Sequence, residues 1–133
     1  MIKFVNLTYR QQIEIYQDMQ NQCLGIAWVE KAFKEAWESF VADGWTYDGA
    51  TFVREYKNDF WEVAAFIHDW LNSIGYVGKK VDLYFIDLMI ALGYPSNLIF
   101  ERAKWMQWTW INVLNHKFIK RDFIANDLPV QLK

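Results

Sequence analysis

His68 and Asp69 stand side by side in FWEVAAFIHDWL, residues 60–71, a run that is otherwise almost entirely apolar. An imidazole and a carboxylate on a buried element cost free energy unless partners satisfy them, so the doublet marks either a reactive site or an internal fastening. Asn72 follows His68 by one helical turn and can share its face, while Asp69 is rotated from His68 by about 100°. Asp82 on the following helix and Asp48 in the preceding loop can join them in a mixed nitrogen and oxygen set. As metal ligands, Asp48, His68, Asp69 and Asp82 suit a divalent Mg, Mn, Fe or Zn ion rather than a thiolate-selected metal. Such an ion would lower the pKa of a bound water and hold a phosphoryl or acyl oxygen, which is hydrolytic chemistry. The alternative use is structural: Asp69 accepts from backbone amides or from Arg54, and His68 donates to Asp48 or Asp82, tying the N-terminal part to a helical hairpin. A hydrogen bond to a charged partner contributes about 1.5–3 kcal/mol to such a tie.

Other chemistries find little support. The chain has no glycine-rich phosphate loop with Lys-Ser/Thr, no HExxH, no CxxC and no GxSxG. Cys23 is the only cysteine, which excludes an intrachain disulfide and a multi-thiolate zinc site. Fourteen Lys and Arg against 16 Asp and Glu leave a formal charge of -2, too little positive field to hold a nucleic-acid backbone non-specifically. Charged or amide residues interrupt every apolar segment, so a membrane span is not expected, and the first residues lack the pattern of a secretory signal. His116 is isolated and is expected to be exposed or packed on an aromatic ring.

The 133 residues suffice for one hydrophobic core, read as an N-terminal segment and loop over 1–57, a helical portion over 58–118 and an arm over 119–133. Ile2, Phe4 and Leu7 alternate imperfectly with Lys3, Val5 and Asn6, and Ile13 and Ile15 suggest a second short strand. Residues 28–41, WVEKAFKEAWESFV, have helical spacing, with a strand as the alternative. Asp59 and Glu62 have capping-box spacing before a helix running to Asn72 or Ser73. KKVDLYFIDLMIALG, residues 79–93, forms a second helix ending at Gly93, and a third begins near Ser96. The expected fold class is therefore α+β: short N-terminal strands and one possible helix packed on a three-helix C-terminal portion. Eight Trp, seven Tyr and ten Phe exceed what a small core ordinarily houses. Trp105, Trp108 and Trp110 point around much of the third helix, so one side is expected to meet the core and the other either the N-terminal segment or an interface with a protein partner or a second copy, with all eight tryptophans packed in the core as the alternative.

Three ordered blocks, DGATFVR at 48–54, AAFIHDWLN at 64–72 and KKVDLYFIDLMIALG at 79–93, resemble the DUF1353 family, a small group encoded mostly by phages and prophages and without an established activity. Asp48, Gly49, Ala50 and Arg54 match the family's loop; His68, Asp69, Trp70 and Leu71 match its HDWL motif; Asp82, Phe85 and Gly93 match its third block. Thr51, Val53, Asn72 and Val81 depart from the pattern without removing an ionisable residue. The resemblance implies a shared polar centre of Asp48, His68, Asp69 and Asp82, with Arg54 and Asn72 beside it, in a phage accessory protein of the virion or the host cytoplasm. The doublet alone is also similar to that of metal-dependent HD phosphohydrolases, but no histidine precedes His68 to act as their upstream ligand.

Overall fold

The structure, a computed structural model, describes residues 2–47, 61–76 and 79–108, with the side chains of residues 79 and 105–108 outside that description. Five α-helices account for most of it: α1 (Tyr9–Gln22), α2 (Ala27–Asp43), α3 (Val63–Ser73), α4 (Lys79–Ala91) and α5 (Ser96–Trp108). There is no sheet among the described residues, and the α+β expectation is incorrect. The predicted first strand reduces to one antiparallel bridge, in which Ile2 N–H donates to the Tyr47 carbonyl at 3.0 Å and Tyr47 N–H returns the bond at 2.8 Å. The chain leaves that bridge at once, through a single 3-10 turn over Phe4–Asn6.

The predicted second strand lies inside α1, for two physical reasons. Thr8 and Gln11 form a capping box, with Gln11 N–H donating to Thr8 Oγ1 at 3.1 Å and Thr8 N–H to Gln11 Oε1 at 2.9 Å. The side chains that face the core, Ile15, Tyr16, Met19 and Cys23, recur at the helical period, while Ile13 turns outward. Helix α1 gives way to α2 through Leu24 and Gly25, both at positive φ (54° and 71°).

Helix α3 occupies the middle. Val63, Ala64, Ala65, Phe66, Ile67, Trp70 and Leu71 are all buried, and α1, α2 and α4 pack against it. A helix buried on nearly every side needs apolar residues nearly all round, which is why the doublet at 68 and 69 stands out in sequence. Phe66 is the hub. Its ring meets those of Trp45 (4.8 Å between centroids), Phe40 (5.3 Å), Tyr47 (5.7 Å), Trp37 (5.9 Å), Phe33 (6.0 Å) and Trp61 (6.1 Å), mostly in the tilted and edge-on arrangements that the ring quadrupole favours. Trp28, Trp37, Trp45, Trp61 and Trp70 all belong to the core or pack on it, so this part of the aromatic surplus is taken up internally. Helix α4 buries Val81, Tyr84, Phe85, Leu88 and Met89, and Leu92 just past its end is buried as well.

Candidate functional site

Two turns of local structure set the orientation of His68. Gln22 at the end of α1 holds the start of α3, its Oε1 accepting from Val63 N–H at 2.9 Å and its Nε2 donating to the Trp61 carbonyl at 2.8 Å. With α3 held there and its apolar faces taken by α1 and α2, His68 is left at the α3–α4 seam. Its Nε2 lies 3.0 Å from Asp82 Oδ1. Both side chains are mostly covered, 12% exposed for His68 and 18% for Asp82, and the imidazole lies against Phe85 with ring centroids 4.8 Å apart. Asp82 occupies the first turn of α4, where the helix's unpaired N–H groups favour negative charge.

Asp69 is the next residue of α3. It is partly buried and near enough to Tyr47 for its charge to add to the effect of burial, which pushes the Tyr47 hydroxyl above its ordinary pKa. His68 meets Asp82 of α4, and Asp69 follows it after the step of about 100° between helical neighbours. Asn72 is partly buried in the last turn of α3, where its carbonyl accepts from Gly75 N–H at 3.1 Å. Asp48, Arg54, Trp110 and His116 lie outside the described residues, as do the side chains of Trp105 and Trp108.

Among the described residues, no three His, Cys, Asp or Glu side chains converge as a cation site requires. His68 and Asp82 bring one nitrogen and one carboxylate, whereas catalytic zinc centres take three protein ligands. The described donors therefore do not make up a centre for Mg, Mn, Fe or Zn. What they do make is a charge-assisted tie across a helix seam.

A second polar centre escaped the sequence reading. The expected Asp59 cap falls outside the described residues; Glu62 is the N-cap of α3, with no side-chain cap bond. Its carboxylate receives Arg102 of α5 through both guanidinium ends, Nη1 to Oε2 and Nη2 to Oε1, the latter at 2.5 Å. The two residues are 5% and 3% exposed, burial that a charge tolerates only when paired. The Arg102 guanidinium lies 5.7 Å from the centroid of the Tyr94 ring. Burial first, and the Glu62 charge after it, push the Tyr94 hydroxyl above its ordinary pKa. The Tyr47 hydroxyl accepts from Glu62 N–H at 3.2 Å, and the Tyr47 ring stacks on Trp61 at 4.3 Å. One signal was available in sequence: Arg102 follows Leu98 and Ile99 by four and three residues, so it falls on the apolar stripe of its helix.

No family model, no curated protein and no solved structure matches this chain. What the two centres can do is therefore set by their own side chains. Among the described residues no helix is long and apolar enough to cross a membrane.

Proposed function

We propose that the chain is a phage-associated structural or protein-interaction subunit, working in a virion or in the host cytoplasm through contacts with another protein chain or a second copy. The observation that carries this reading is the closure of His68 on Asp82 at 3.0 Å, with Phe85 against the imidazole. Two ionisable residues of the DUF1353-like blocks are engaged with one another across α3 and α4, a use that fastens a fold. The outer side of α4 supports the contact role, with Leu83 49% and Ile90 60% exposed, and Phe100 on α5 is 75% exposed. Apolar surface of this kind gains free energy when another protein covers it.

Native mass and metal content of the purified chain test the reading together. The expected result is an assembly larger than one chain, reduced to one chain by Leu83→Glu with Ile90→Glu, and no stoichiometric divalent metal. A single-chain mass with stoichiometric Mg, Mn, Fe or Zn, lost in a folded Asp82→Ala variant, would overturn it in favour of a small metal-dependent hydrolase.

A further inference from the structure

Helix α4 carries two apolar stripes, and the core takes one of them. Val81, Tyr84, Phe85, Leu88 and Met89 form the buried stripe, and the contact of Asp82 with His68 of α3 fixes the rotation of the helix about its axis. On the opposite side Leu83 and Ile90 are 49% and 60% exposed, with Ile86 half-buried between them. Their separations of three and four residues are those of the a and d positions through which one helix packs into another.

The charges beside this stripe discriminate between occupants. With Leu83 and Ile90 at a and Ile86 at d, Lys80 and Asp87 both fall at e, on one flank, the first exposed and the second half-buried. The other flank holds Asp82, in contact with His68, and Met89, which is buried. Two parallel copies of α4 would set one flank against the other and bring Asp82 of each toward Asp87 of its neighbour, two like charges. Two antiparallel copies set e against e, so that Lys80 of each lies across from Asp87 of the other, and two-fold symmetry makes the contact twice. Leu83 of each copy then meets Ile86 of the other, and the positive amino end of each helix lies beside the negative carboxyl end of its neighbour. A flank that complements itself on reversal fits a second copy.

We infer that α4 pairs antiparallel with α4 of a second copy, through Leu83, Ile86 and Ile90 flanked by reciprocal Lys80–Asp87 contacts. This pairing rests on the protein-interaction role proposed above, with the chain itself as the partner. A helix of 13 residues makes a small seam, so the two copies associate reversibly and in proportion to concentration.

Sedimentation equilibrium of the full chain from about 1 μM to about 1 mM, the range in which a small interface associates, tests it. The unaltered chain is expected to pass from one copy to two. Asp87→Lys and Lys80→Asp, each alone, turn both cross-seam contacts repulsive and weaken pairing at least about 10-fold. The double variant Lys80→Asp with Asp87→Lys restores it, and an equimolar mixture of the two single variants pairs at concentrations where neither does by itself. Far-ultraviolet circular dichroism shows whether each variant keeps its helices; if Asp87→Lys does not fold, Lys80→Asp alone decides, by the same weakening. A chain that stays single throughout would overturn the inference and leave the proposed function to a different protein partner, whereas a single chain with stoichiometric metal would remove both. An assembly abolished by Leu83→Glu with Ile90→Glu but unchanged by the charge variants would overturn the antiparallel pairing alone, as would a weakening that the exchanged charges do not rescue.

Discussion

At the scale of single residues, the His68–Asp82 contact joins two groups that are each more than four-fifths covered. Truncating either to alanine leaves the other partly desolvated, and each change is expected to cost about 1.5–3 kcal/mol in denaturant unfolding. His68→Ala also removes the imidazole from Phe85, so the bond itself is read from the double-mutant cycle, with an expected coupling of about 1 kcal/mol or more. A coupling indistinguishable from zero would show that the two side chains are neighbours and not a fastening.

At the scale of elements, the helices over residues 63–73, 79–91 and 96–108 were legible because their apolar spacing and their punctuation agree: glycine or proline flanks each of the last two, and a dense apolar run marks the first. Helix α1 was not legible as a helix, since Ile13 and Ile15 imitate a two-residue alternation while the face that is buried runs through Ile15, Tyr16, Met19 and Cys23. The Thr8–Gln11 capping box was the local signal that would have corrected the reading. The turn that follows α1 holds a non-glycine residue in the left-handed region, Leu24 at φ 54°, with its side chain 64% exposed. Left-handed backbone costs an ordinary L-residue about 1–2 kcal/mol, and asparagine tolerates it better. Leu24→Asn is accordingly expected to raise stability by up to about 1 kcal/mol, measured as a higher denaturant midpoint at unchanged slope. An unchanged or lower midpoint would mean that the leucine contributes packing that its exposure does not suggest.

At the scale of the whole molecule, the interior is rich in groups that lose a proton only at alkaline pH. Burial, assisted by the charge of Glu30, pushes the Cys23 thiol up to about 12 from an ordinary 9.0. Burial likewise raises the Tyr47, Tyr84 and Tyr94 hydroxyls above their ordinary 10.0, with nearby carboxylates adding to it: Asp69 and Glu62 at Tyr47, Glu35 at Tyr84 and Glu62 at Tyr94. Each group is neutral when protonated, and the folded chain keeps its proton to higher pH than the unfolded chain does. Between the ordinary and the raised values the folded state therefore binds more protons, so the stability these groups contribute is intact below about pH 9 and falls as pH rises beyond it. Denaturant unfolding at intervals from pH 7 to pH 11 is expected to show a plateau and then a decline, and Tyr84→Phe with Cys23→Ala to flatten that decline. A flat profile in the unaltered chain would contradict the burial assigned to these residues.

Helical periodicity, the single cysteine, the near balance of charge and the want of any long apolar run are local or compositional properties, and the sequence by itself determined them. Tertiary structure alone decided which polar residues meet. His68 finds Asp82 across 14 positions and Glu62 finds Arg102 across 40. Periodicity assigns a side chain to a face, but a bond between faces depends on how helices pack, and that is set by the summed burial of many apolar side chains around Phe66 rather than by the pair itself. The same packing turned the N-terminal segment into a helix and took five of the eight tryptophans into or against the core.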